Sequence, residues 1–243
     1  MNEFFNKDSF AMRFLTQLGN LILVNLIFII TSIPVITIGA SLSALYRITF
    51  AIHCKEDVTV LRTYFGTFKS SFKHSTLLWI PSCAALSFFL YEIYLLWFEL
   101  DPKYAMFQIP VWIMIFIILS IMIYSFPMIG LYEQPLKQTV KNSLILAVTN
   151  LPLTISTIVV KGGIIFACLA IPKLGVVIGS FYILMGFGLS AFITAFFLKR
   201  IFEKYGSLTP DEDEPEFMSS EEFEESKRLA EENTVKEKSG KKA

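Results

Sequence analysis

Glu92 and Lys161 are ionisable residues set in otherwise apolar runs. A charge left unpaired in hydrocarbon costs about 3 kcal/mol or more. Glu92 stands six residues before the end of its run, roughly 9 Å deep at about 1.5 Å per helical residue. Lys161 stands near the end of another run. Each could extend its head to the interface, but a Glu92–Lys161 ion pair between two helices is the sharper expectation. Other chemistry is hard to assemble. His53 and His74 lack a neighbouring ligand set, and Cys54, Cys83 and Cys168 form no C-x-x-C, so neither zinc nor a disulfide framework is indicated. Gly66-Thr67-Phe68-Lys69-Ser70-Ser71 lacks the phosphate-loop spacing, and no G-x-S-x-G, H-E-x-x-H or paired-carboxylate cluster occurs. The expectation is a non-catalytic protein with no cofactor, no metal and no nucleic-acid partner.

A second constellation has the makings of a contact surface. In Thr31–Tyr46, TSIPVITIGASLSALY, Pro34 interrupts a β-branched run and Gly39 opens a stretch of small residues. Proline removes a backbone donor and disfavours helix before it, and glycine relaxes the chain. Pro34, Thr37 and Gly39 are the candidate elbow. Beyond it, His53–His74 mixes cations with aromatics at helical intervals. Positions 61, 64, 65, 68 and 72 share one face, while Arg62, Lys69 and Lys73 lie largely away from it. Such a helix lies on a membrane or against a partner, with Arg62, Phe65, Phe68, Lys69, Phe72 and Lys73 as the contact residues.

The elements that must position these groups follow from composition. Of 243 residues, 54% are hydrophobic and 17% charged, with mean hydropathy +0.58. Soluble domains average about 45–50% and about 25%. The excess gathers in runs of about 20 residues, the length that crosses about 30 Å of hydrocarbon. The expected fold is therefore all-α, an integral membrane helical bundle. Its five spans fall near Phe14–Ile33, Thr76–Phe98, Met106–Ile129, Ser143–Val160 (with a possible run to Ala170) and Leu174–Leu198. Gly39–Cys54 contains Arg47 and reads as a poor span. Two cytoplasmic amphipathic elbow helices are expected, in 39–74 and 130–142. Gln17, Asn20 and Asn25 read as hydrogen-bonding glue between helices. Residues 1–208 form the membrane domain. Residues 209–243 hold 12 acidic against 6 basic side chains and too few apolar ones for a core, as a mostly disordered cytoplasmic tail would. Lys and Arg in the short polar segments divide ten to five. This places the N-terminus outside and the C-terminus in the cytoplasm.

Several stretches carry a family resemblance. They are Met12-Arg13-Phe14-Leu15, the elbow Ser32-Ile33-Pro34-Val35-Ile36-Thr37-Ile38-Gly39-Ala40-Ser41, and Ala44-Leu45-Tyr46. Further on come Phe65, Phe68-Lys69, Phe72-Lys73, Leu151-Pro152 and Leu198-Lys199-Arg200-Ile201-Phe202-Glu203-Lys204-Tyr205. Over about residues 1–205 the chain resembles the YesL-like family, a membrane domain of unknown function (number 624). The resemblance implies an association with oligosaccharide uptake by ABC importers and carries over no functional residues. Glu133 also precedes Leu151-Pro152 by the spacing that importer permeases use in the cytoplasmic loop docked on their ATPase, although Gln134 and Pro135 replace that loop's two alanines and Thr139 its central glycine. The expected partners are membrane lipids and importer permease subunits, with the oligomeric state open. Two functional classes follow: an accessory or assembly subunit of a carbohydrate importer, or a self-sufficient small transporter or channel.

Overall fold

A computed structural model describes residues 10–56, 59–99 and 101–205. The expected outer N-terminus and the acidic tail at 209–243 lie outside the described residues. Every element among those described is helical: α1 (Phe10–Thr31), α2 (Ile38–Cys54), α3 (Val60–Phe98), α4 (Gln108–Leu131), α5 (Leu136–Thr149), α6 (Leu151–Ala170), α7 (Pro172–Phe181) and α8 (Phe187–Tyr205). A 3₁₀ turn, Val35–Thr37, leads into α2, a second, Pro102–Phe107, leads into α4, and a π-helical turn, Tyr182–Gly186, joins α7 to α8. The helices pack into a compact unit that runs through Arg200.

Five segments are long and apolar enough to cross a membrane: 35–54, 60–98, 108–131, 151–170 and 172–202, with Leu15–Thr31 a shorter apolar helix. The all-α membrane bundle stands, but its elements are divided differently from the sequence reading. Gly39–Cys54, expected to be a poor span, lies within one of the five candidates. It forms most of α2, whose residues from Gly39 to Ile52 are largely buried, and α2 packs against α3, α4 and α1. Its small residues, Gly39, Ala40, Ser41, Ser43 and Ala44, let neighbouring backbones come close, so the apolar surface is satisfied by protein. The cationic segment before His74 is no separate helix either. It continues through Pro81 into α3, 39 residues long, or about 58 Å at about 1.5 Å per residue. Proline is tolerated inside such a helix when neighbours compensate for the lost hydrogen bond.

A helix does form in the region of the second expected elbow, but α5 runs from Leu136 to Thr149 and takes in the start of the expected fourth span, which is shifted. A single run from Ser143 would be too simple, because the helix breaks at Asn150, whose backbone leaves the helical region at φ −122° and ψ 42°. Pro152 then occupies the first turn of α6, where its missing donor is harmless. Because α6 runs on to Ala170, Lys161 moves from the end of a span to the eleventh of α6's 20 residues.

Candidate functional site

Three groups of side chains stand out, and the first is the elbow. α1 ends at Thr31, whose hydroxyl shares a 2.7 Å hydrogen bond with Tyr64 and accepts one from Ser41 at 3.0 Å. Thr37 donates to the carbonyl of Thr31 at 2.5 Å and to that of Pro34 at 2.6 Å. The indole of Trp79 donates to the carbonyl of Val35 at 2.9 Å. Pro34 and Thr37 thus sit in a hydrogen-bonded turn held by α3. Gly39 is needed for a reason other than backbone freedom. A β-carbon there would lie 2.7 Å from the Ser75 carbonyl and 2.9 Å from Trp79 Cβ, so its missing side chain is what lets α2 meet α3. One turn on, Ser43 and Ser75 share a buried 2.9 Å hydrogen bond.

The second group is the first half of α3. Tyr64 does not belong to the contact face where the periodicity put it. Its side chain is wholly buried, bonded to Thr31 and to the Ser41 carbonyl at 3.4 Å. Phe68 is half-buried, its ring 6.4 Å from that of Tyr64 and 5.9 Å from that of Phe72. Phe65 is 50% and Phe72 38% exposed, and Arg62, Lys69, Lys73 and His74 are exposed as well. The outward face therefore mixes aromatics and cations. A shallow groove of about 420 Å³ runs from Phe72 and Lys73 past Leu77 and Ile80 to Pro81.

The third group surrounds Lys161. The expected Glu92–Lys161 pair is not formed. Neither Glu92 nor Lys161 is in either of the ion pairs Arg47–Glu56 and Lys103–Asp101, and the Lys161 amine donates instead to the Tyr46 hydroxyl at 3.4 Å. The physical reason is the packing order: α3, which carries Glu92, lies against α2 and α4, whereas α6 lies against α4, α5 and α7. Two cavities adjoin Lys161. One, about 500 Å³, is lined by α6 and by the segment from Ile178 to Phe197. The other, about 390 Å³, adds Leu42, Leu45 and Tyr46 of α2.

The wall shared by those cavities includes the π-helical turn, which no local sequence signal announces. Buried Asn25 holds it. The amide donates to the carbonyls of Ile183 at 2.9 Å and Tyr182 at 3.3 Å, and its oxygen accepts from the Gly188 N–H at 2.9 Å. A π turn leaves carbonyls without their usual partners, and such turns occur often at functional sites. Asn25 is helix–helix glue, and its partner is backbone.

One end of the unit gathers basic residues. α2 closes with Lys55 in the left-handed region, φ 56°, and the Glu56 N–H returns to the Ala51 carbonyl at 2.9 Å. Arg47 pairs with Glu56 at 2.9 Å. Burial pushes the phenol of nearby Tyr132, just past α4, above its ordinary range; Cys54 adds to this and Arg47 opposes it. His53 donates through Nε2 to the Phe192 carbonyl at 2.8 Å and stacks on that ring at 3.9 Å. The end of α4 thus meets α2 at Ser43, and the end of α2 lies beside α8. No group of three or more His, Cys, Asp or Glu side chains is placed to hold a metal among the described residues.

Neither a curated protein nor a solved structure matches the chain. A family model does, and it covers the elbow, α2 and most of α3: residues 21–93 match the family described as a protein of unknown function, DUF624, the family of the YesL-like resemblance.

Proposed function

We propose that the chain is a non-catalytic accessory or assembly subunit of a carbohydrate importer in the cell membrane, docking on a permease subunit through the first half of α3. The observation that carries this reading is the outward face of that helix. Phe65 and Phe72 stand exposed beside Arg62, Lys69 and Lys73, on a helix of about 58 Å where about 30 Å would span the hydrocarbon. Exposed aromatics beside cations are the usual anchors of protein–protein contacts. The break at Asn150 supports the importer association. It makes α5 a separate helix followed at once by Leu151-Pro152, the order found in permease docking loops. The basic end of the unit, with Arg47, Lys55, Lys137 and Lys141, faces the cytoplasm by the positive-inside rule.

Membrane lipids are the competing occupant of this face, since anionic headgroups attract each cation by about 1 kcal/mol. Substitution separates the two. With Phe65→Ala and Phe72→Ala together, importer permease subunits should no longer co-purify in mild detergent, while membrane insertion is kept. With Lys69→Gln and Lys73→Gln together, co-purification should fall only modestly. If the lysine pair abolishes it and the phenylalanine pair does not, the helix reads lipid charge and the docking proposal fails.

A further inference from the structure

The cavities beside Lys161 belong to a different surface from the docking face, and their chemistry is unlike it. Their volumes, about 500 and 390 Å³, fall within the roughly 300–1,000 Å³ of ordinary ligand sites. Their walls are aliphatic and aromatic: Leu153, Val160 and Ile164 of α6 face Ile178, Leu189 and Phe197. Several lining hydroxyls are already spent on their own helices, Ser156 on the Leu153 carbonyl and Thr194 on that of Ser190. Lys161 is the one cationic side chain common to both cavities. An ammonium has three N–H donors. One reaches Tyr46 at 3.4 Å, and no carboxylate pairs with the amine among the described residues.

We infer that these cavities bind a single-chain anionic amphiphile drawn from the bilayer, a long-chain carboxylate whose head meets Lys161 and Tyr46 and whose tail fills the apolar space. A sugar is excluded by its hydroxyls, which would lose hydrogen bonds against such walls. A neutral lipid would leave the ammonium uncompensated. A diacyl phospholipid is disfavoured by depth. Lys161 is the eleventh residue of α6, about 15 Å from either end at about 1.5 Å per residue, whereas the phosphate of such a lipid stays at the interface. A single chain can carry its carboxylate inward once the ammonium neutralises it. Entry from the lipid side is open, because the lining residues Val160, Ile165 and Leu169 of α6 and Ile193 and Phe197 of α8 are themselves exposed.

The test uses the purified full chain in uncharged detergent, with bound oleate, oleyl alcohol and phosphatidylglycerol counted by native mass spectrometry. Oleate should bind the unaltered protein, and Lys161→Met should weaken it by about tenfold or more, the range expected for losing a hydrogen bond to a charged group. Oleyl alcohol should bind the unaltered protein more weakly than oleate does and should lose no affinity in Lys161→Met, and Lys161→Arg should keep oleate within about threefold. Ile164→Trp, which fills both cavities, should weaken oleate and the alcohol together. Equal oleate binding by the unaltered protein and Lys161→Met would overturn the inference. So would binding of phosphatidylglycerol in preference to oleate, which would assign the cation to an ordinary lipid headgroup. Should Lys161→Met fail to fold, Ile164→Trp carries the decision, and unchanged oleate binding there is equally fatal.

Discussion

Lys55 sits in a left-handed backbone conformation, φ 56°, that costs a side-chain-bearing residue about 1–2 kcal/mol. The position closes α2, and the 2.9 Å return of Glu56 to Ala51 is the bond that glycine usually supports at a helix end. Lys55→Gly is therefore expected to raise stability by about 1 kcal/mol, read as a higher midpoint in thermal unfolding in detergent. Asn25 is the opposite case. It serves three backbone groups of another segment, so Asn25→Leu, similar in size but without polar atoms, should destabilise by about 1–3 kcal/mol. Asn25→Asp should be no better, because a carboxylate would face the carbonyls of Tyr182 and Ile183. A melting midpoint unchanged in both variants would mean that the π turn holds itself. An amide in an apolar run announces that it needs a partner, and this much was legible in the sequence. That the partner is a π turn 157 residues away was not, because nothing in Tyr182–Gly186 departs from an ordinary apolar helix.

Between helices, glycines divide by what surrounds them. A β-carbon on Gly130 would run into the Ser43 backbone, and one on Gly39 would meet Ser75 and Trp79, whereas Gly66 and Gly162 have nothing within 4 Å. Gly39→Ala and Gly130→Ala should each push α2 away from a neighbour and cost about 1–3 kcal/mol. Gly66→Ala and Gly162→Ala should gain about 0.5–1 kcal/mol from helix propensity. The four variants can be ranked by thermal unfolding, and a loss at Gly66 as large as at Gly39 would show that the contact argument is wrong. The elbow was legible because Pro34 breaks a helix from within the sequence. The burial of α2 was not, since a helix with Arg47 and many small residues reads as weakly apolar, and only α3 and α4 make it a core element. The break at Asn150 escaped for a related reason. Hydropathy continues across it, and Pro152 stands after the break, where it is compatible with helix. Placing Lys161 depended on both boundaries: the helix that starts at Leu151 runs on to Ala170 instead of stopping at Val160, which turns a terminal lysine into one at mid-helix.

For the molecule, the decisive question is which ends of the helices share a side of the membrane. α4 has 24 residues with no Asp, Glu, Lys or Arg and the highest mean hydropathy of the candidate spans, 2.4. At about 1.5 Å per residue it extends about 36 Å, enough to cross about 30 Å of hydrocarbon. Lys103 precedes its start and Lys137 follows its end. α4 ends against Ser43 of α2. The phenol of Tyr132, also past that end, feels Arg47 and Cys54 farther along α2, so Lys55 is expected on the same side as Lys137. In a chain with Cys54, Cys83 and Cys168 replaced by serine, Lys55→Cys and Lys137→Cys should react with a membrane-impermeant maleimide only after the cytoplasmic face is opened, and Lys103→Cys should react in intact cells. Lys55 and Lys137 reporting opposite sides would contradict the packing of α2 beside α4. Lys103 and Lys137 reporting the same side would mean that α4 does not cross. Reversal of all three would keep the packing and refute only the assignment of the basic end to the cytoplasm, since that rests on charge distribution and not on any contact between helices.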